Sequence, residues 1–205
     1  MYFFIYIGLF FIIIYIGSLI TYILGNIINR DIKKSHHLHS VSVIIAVKNG
    51  QDSLPNILAD LEKQKYEGES EYIIVDDEST DCTADIIKEH SQKNPKTIYV
   101  SSIEGNEKLL FKKRALDAGI KNSKYDILIF TDVDCRLKEN WIQSMASCFN
   151  DHVDYVVGVS EISKSLNIVS HFQKIDLLMM LIAGRAQCNL ESPIASTGQN
   201  QAYKK

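Results

Sequence analysis

Residues 127–135 read ILIFTDVDC. Four apolar side chains run into Thr131, and Asp132 and Asp134 follow with only Val133 between them. A run this short, aliphatic and aromatic predicts a buried strand. Side chains two apart on a strand face the same way, roughly 7 Å apart. Two carboxylates held so repel each other and lose water, so one takes up a proton or a positive group sits between them. A hard divalent cation with oxygen ligands meets that need. In open α/β sheets ligands collect at the carboxyl ends of strands, where these acids fall. The alternative at this point is a pair of solvated residues opening a turn.

The same signature recurs along the chain. VSVIIAV (41–47), EYIIVDD (71–77), KTIYVSS (96–102) and DYVVGVS (154–160) also read as strands. Between them lie helical patterns. Leu54, Ile57, Leu58 and Leu61 share one helix face, and ADIIKEH follows Ser79, Thr80 and Asp81, short polar side chains suited to capping. LLFKKRALDAGI (109–120) and WIQSMASCF (141–149) complete the set. Apolar strands alternating with helices predict an α/β fold, a mostly parallel sheet with helices on both faces. The strand ends then share one edge. That edge gathers Ala46, Val47, Lys48 and Asn49 from the first strand, Asp76, Asp77 and Glu78 from the second, and Asp132 and Asp134 from the fourth. So many acids together are costly unless a cation and a ligand rich in hydrogen-bond donors satisfy them. Ribose hydroxyls and a uracil-like N–H are such donors, and a diphosphate completes a metal's shell. Lys112, at a helix start, would place positive charge near that phosphate.

The chain has 205 residues, 46% of them hydrophobic, and a net charge of −3. No basic excess and no nucleic-acid motif is present, so a nucleic-acid partner is not expected. Cys82, Cys135, Cys148 and Cys188 are dispersed without a CxxC, which fits a reducing compartment and neither zinc nor disulfides. From Tyr2 to Ile28 there is no charge. About 20 apolar residues cross a bilayer as a helix, so residues 1–29 read as a transmembrane anchor. They lack the basic start and cleavage site of a signal peptide. Arg30, Lys33 and Lys34 follow at once, which predicts a single-pass protein of the inner cell membrane with its catalytic part in the cytoplasm. Gly17, Thr21 and Gly25 form a small-residue ridge that allows weak homodimerisation through this helix. Residues 30–40, with His36, His37 and His39, read as an interfacial linker rather than a metal site, and 41–205 as one domain. Residues 165–187 are apolar at helical spacing but broken by His171, Lys174, Asp176 and Arg185. They predict a core helix or an amphipathic helix on the membrane, not a second span.

The order VSVIIAVKNG, YIIVDDESTD, FKKRALDAGI, ILIFTDVDC with a following Trp, and DYVVGVS resembles the family 2 inverting glycosyltransferases of the GT-A fold. STGQNQAYKK at the end resembles that family's G-x-N-x-A-Y segment. The resemblance covers about 41–205 and implies a sugar transferred with inversion from a nucleotide-diphosphate donor, a UDP-sugar, to a glycan or lipid-linked acceptor. It implies Mg²⁺ or Mn²⁺ as cofactor. Asp77 matches the acid that holds the base or ribose, with Asp76 beside it, and Ala46, Val47 and Asn49 match the edge that lines the base. Lys112 matches the basic residue of the following helix. Asp132 matches the acid near ribose and metal, and Asp134 the direct metal ligand. Gly198 and Asn200 match the loop lining donor sugar and acceptor. Gly50 stands where the family has an acid, and Phe111 where it has Gly. The family's general base lies in a later acidic motif, expected beyond Lys205, so these 205 residues are expected to bind donor and metal but transfer sugar poorly. A non-catalytic, membrane-anchored nucleotide-sugar-binding subunit is the alternative. A haloacid-dehalogenase-type phosphatase, with Asp132 as nucleophile and Asp134 as acid, leaves DDESTD and GQNQAY without a role.

Overall fold

A computed structural model of the chain describes residues 2–28, 34–35, 37–162, 167–193 and 197–205. In chain order its elements are α1 (Tyr2–Ile27), β1 (Val41–Val47), α2 (Leu54–Glu62), β2 (Ser70–Asp76), α3 (Thr83–Lys93) and β3 (Thr97–Ser101). They continue with α4 (Lys112–Lys121), β4 (Ile127–Thr131), α5 (Trp141–Ala146), β5 (Tyr155–Val157), α6 (Ile168–Asn189) and β6 (Asn200–Lys204). Contacts sort the chain into two units. A sheet unit comprises Lys33–Gly158 and Thr197–Lys205, and a helix unit comprises Met1–Ile32 and Val159–Ser196. Arg30 and Lys33 of the basic flank, with His36, lie outside the described residues.

The sheet runs β3-β2-β1-β4-β6-β5. β1 pairs in parallel with β2 and β4, and β2 in parallel with β3. The parallel reading holds for these four strands. β6, expected as a loop, is a strand antiparallel to both β4 and β5. Its sequence NQAYK carries no apolar run, because only Asn200 and Ala202 of it are buried. Tyr203 anchors this edge through its ring, stacked on Phe130 at 5.1 Å and on Tyr155 at 6.4 Å, the cross-strand aromatic contact that favours sheet pairing.

Alternation along β1 sends Val41, Val43, Ile45 and Val47 to one face. There they meet Leu54, Ile57, Leu58 and Leu61 of α2, with Ile142, Met145 and Phe149. Ile44 turns to the other face with Ile73, Val75, Leu128 and Phe130, beneath Ala115 and Ala118 of α4. Ile44, Ile45, Ile73 and Ile74 have no exposed surface, and each contributes about 1.5–3 kcal/mol by leaving water. The helix expected from 109 begins at Lys112, because Phe111 takes a left-handed φ of 54°. The helix expected over 141–149 ends at Ala146, and the strand expected over 154–160 spans Tyr155–Val157.

In the helix unit, α1 is long and apolar enough to cross a membrane. α6 is not a core helix, which corrects one of the two expectations for it. Ile168, Phe172, Ile175, Met179 and Ile182, spaced by four and three residues along one side, are all exposed. The two helices meet at their C-terminal ends. A Cβ at Gly25 would lie 2.5 Å from the Ala186 carbonyl oxygen, so only glycine allows this approach. Asn26 Nδ2 donates to the Ile182 carbonyl at 3.1 Å. Asn189 Nδ2 donates to the carbonyls of Gly25 and Ile28, both at 2.9 Å. The Gly25 end of the small-residue ridge is therefore occupied by the same chain.

Candidate functional site

β1, β2 and β4 run side by side, with Val47 level with Asp76 in the register. Their carboxyl ends open on a cleft of about 310 Å³. Ala46, Val47, Lys48, Asn49, Gly50, Ser53, Asp77, Lys112, Asp132, Val133 and Asp134 line it. Seven of the expected site residues are thus brought together: Ala46, Val47, Asn49, Asp77, Lys112, Asp132 and Asp134. Asp76, Gly198 and Asn200 are not among the lining residues. Asp76 is buried and its Oδ1 accepts the Ser79 N–H at 3.2 Å, which shapes the turn after β2. Asn200 Oδ1 accepts from Trp141 Nε1 at 3.0 Å, and Gly198 lies in the turn before β6.

The acids are not held by strand pleating, because β4 ends at Thr131. Asp132 and Asp134 sit in a turn, in which the Cys135 N–H donates to the Asp132 carbonyl at 3.1 Å. Lys112 forms an ion pair with Asp132 Oδ1. Among the described residues no donor reaches the carboxylates of Asp77 or Asp134, although Asp77 is only 7% exposed. The Asp77 oxygens keep contact with solvent through the cleft and Asp134 is exposed, so both carboxylates are open to a ligand.

The β1 and β2 loops are stitched together around the cleft. Asn49 N–H donates to Ser79 Oγ at 2.9 Å, and Asn49 Oδ1 accepts the Thr80 N–H at 2.8 Å. Gly50 N–H donates to Thr83 Oγ1 at 2.8 Å, and Gln51 N–H to Asp81 Oδ2 at 3.2 Å. Of the three residues expected to cap α3, Asp81 does so, accepting the Thr83 N–H at 3.0 Å. The Thr83 hydrogen bonds hold its carboxyl below the usual range. Ser79 and Thr80 hold the β1 loop instead. A Cβ at Gly50 would lie 2.4 Å from Val47 Cγ2, so the loop packs closely against the end of β1 here. Asn49, Glu78 and Phe111 all take positive φ beside this cleft. Such conformations cost of order 1–3 kcal/mol for residues other than glycine and gather at functional sites.

The stretch after Asp134 is held from α2. Asp60 is buried, and its carboxylate accepts from Arg136 Nε at 2.7 Å, Arg136 Nη2 at 2.8 Å and the Leu137 N–H at 3.0 Å. The Arg136 guanidinium, and after it the Leu137 N–H, hold the Asp60 carboxyl below the usual range against the opposing effect of burial. Sequence reading missed Asp60 and the lining residues Ser53 and Val133. For Ser53 the signal was its place just before α2; for Asp60, an acid on the apolar face formed by Ile57 and Leu61.

A second cleft, about 380 Å³, opens among Leu61, Glu62, Gln64, Tyr72, Lys93, Asn94, Pro95 and Lys96. Lys93 is already paired with Glu89, and Glu62 Oε1 lies 3.0 Å from His90 Nε2. It contains no strand-end acid, so the smaller cleft is the stronger site. Among the described residues no three His, Cys, Asp or Glu side chains converge as a preformed metal cage. Asp132 and Asp134 are hard oxygen donors that fit a divalent ion whose remaining ligands come from elsewhere.

Residues 42–195 match the family model for glycosyl transferase family 2. A probable glycosyltransferase of Sulfolobus acidocaldarius is 31% identical over 121 residues, covering 55% of this chain and 24% of that protein. The poly-beta-1,6-N-acetyl-D-glucosamine synthase of Staphylococcus aureus is 27% identical over 146 residues, covering 70% of this chain and 34% of that protein. The chain thus spans between about a quarter and a third of the length of these relatives. A solved mannosyltransferase of Pyrobaculum calidifontis, in complex with GDP-Man and Mn²⁺, superposes with a TM-score of 0.72 at 17% identity, over 93% of this chain and 52% of that one. The glucosyl-3-phosphoglycerate synthase of Mycobacterium tuberculosis superposes at 0.53 and 15% identity, over 81% of this chain and 57% of that one. These likenesses establish the GT-A fold. With the sequence match spanning β1 to the end of α6, the chain belongs to glycosyl transferase family 2.

Proposed function

We propose that the cleft at the carboxyl edge binds a nucleoside-diphosphate sugar, a UDP-sugar, together with Mg²⁺ or Mn²⁺. The complete enzyme then moves the sugar with inversion to a glycan or lipid-linked acceptor. The observation that carries this is the pairing of Asp77 and Asp134 in one cleft, both without a protein donor. Asp77, beside Ala46, Val47 and Asn49, accepts hydrogen bonds from the base or ribose. Asp134, with Asp132, would hold the ion. A divalent ion there supplies neutralisation of the charge on a leaving diphosphate. Lys112, paired with Asp132, would leave it to meet the phosphates. Asp76 orders the turn next to Asp77, while Gly198 and Asn200 place β6 at the flank of β4.

α1 anchors the protein in the inner membrane with the sheet unit in the cytoplasm, and residues 41–205 serve as the donor-binding domain. The Mn²⁺ in the mannosyltransferase complex and the UDP in the glucosyl-3-phosphoglycerate synthase complex support the ligand classes. Titration calorimetry of UDP into the full chain in detergent tests the reading. Binding is expected with Mn²⁺ present, weakened when Mn²⁺ is chelated and when Asp134→Asn is introduced. Equal heats in all three cases would refute it.

A further inference from the structure

Between β4 and α5 the chain carries both acids of the turn and then runs through residues 135–140 without a helix or strand. Two α2-side residues hold that run. Asp60 grips Arg136 through both guanidinium contacts, 2.7 and 2.8 Å, and takes the Leu137 N–H at 3.0 Å. Gln64 donates from Nε2 to the Lys138 carbonyl at 2.9 Å and accepts the Ile142 N–H on Oε1 at 3.1 Å. A two-point Arg–carboxylate contact fixes direction as well as distance. Arg136 lies two residues past Asp134, so the fork sets how the turn leaves β4. On the other side, Lys112 reaches Asp132.

Asp60 is absent from the cleft lining and is 5% exposed, among Ile57, Leu58 and Leu61. The Arg136 side chain is 65% exposed although Asp60 is buried, and a partly solvated ion pair stabilises little beyond what an apolar side chain at this position would. Its distinctive capacity is directional. We infer that Asp60 is a positioning residue for the metal-binding acids: through Arg136 it sets the orientation in which Asp134 and Asp132 meet the divalent ion and the diphosphate. This rests on the nucleotide-and-metal reading of the cleft. Groups that orient metal ligands typically change metal affinity 10–100-fold when removed.

The experiment measures Mn²⁺ binding to the full chain in detergent with UDP present, from the loss of the free Mn²⁺ electron paramagnetic resonance signal. Melting temperatures are read in parallel. Asp60→Asn is expected to weaken Mn²⁺ about 10-fold and lower the melting temperature. Asp60→Leu is expected to recover the melting temperature but not the Mn²⁺ affinity, a split that a purely structural role would not produce. If neither variant folds, Arg136→Lys, which keeps the charge and loses the fork, decides; several-fold weaker Mn²⁺ binding is expected. Wild-type Mn²⁺ affinity in whichever variants fold overturns the inference and leaves the cleft reading standing. Absence of Mn²⁺ and UDP binding in the wild type removes both.

Discussion

The sheet unit and the helix unit are both rich in Ile and Phe, yet they treat these residues in opposite ways. In the sheet unit Ile44, Ile73 and Phe149 are sealed at 0% exposure, with helices on both faces. In the helix unit Ile13 of α1 and Phe172 of α6 are 68% and 72% exposed. The polar groups mirror this. Asp60, buried in the sheet unit, is met by an arginine fork, whereas Asn26 and Asn189 spend their amides on helix carbonyls where α1 and α6 join. One unit buries its own apolar side chains; the other leaves them exposed, and its α1 is long and apolar enough to cross a membrane.

Matched truncations probe the contrast most strongly. Ile44→Ala is expected to destabilise the sheet unit by about 2–5 kcal/mol, through lost burial and a cavity. Ile175→Ala on α6 is expected to stay within about 0.5 kcal/mol. Denaturant unfolding in detergent measures both, and equal costs would break the comparison. Next in size, Ile13→Arg at the middle of α1 is expected to cost about 2.5–3.5 kcal/mol of membrane insertion, read as chain released from membranes by alkaline carbonate. Release unchanged from wild type would mean α1 does not span.

Acid stability sharpens the sheet-unit side. The folded-state pKa of Asp60 is depressed by Arg136. Its stabilisation is therefore complete above the unfolded value near pH 4 and is lost as pH falls through the lower folded value. Asp60→Asn is expected to remove that part of the acid limb, by about 1–3 kcal/mol, with melting curves from pH 2 to 7 as the readout. The smallest effect concerns strain beside the cleft. Phe111→Gly is expected to stabilise the sheet unit by about 1 kcal/mol by relieving the positive φ, seen as a small rise in melting temperature.

Most of the sheet unit was legible in the sequence because parallel strands covered on both faces must be apolar throughout. VSVIIAV, EYIIVDD and ILIFT meet that demand and end at the acids. β6 was not legible, since Asn200, Gln201 and Lys204 suit an antiparallel edge with little burial and carry no apolar run. The start of α4 was read three residues early because apolar Leu109, Leu110 and Phe111 continue the pattern while the Phe111 backbone breaks it. Asp76 was expected in the site beside Asp77, but only Asp77 lines the cleft. The Asp60–Arg136 contact joins residues far apart in the chain, so the acid on the apolar face of α2 signals a buried charge but not its partner.

The central claim is that one cleft holds ion and nucleotide together, so that the strand-end acids tolerate one another. Melting temperature of the full chain with Mn²⁺ alone, UDP alone and both tests it most directly, since a ligand bound only by the folded state raises stability. The account predicts that the combined rise exceeds the sum of the separate rises, and that Asp77→Asn or Asp134→Asn abolishes the excess. An additive response, or the same excess in both variants, would contradict it.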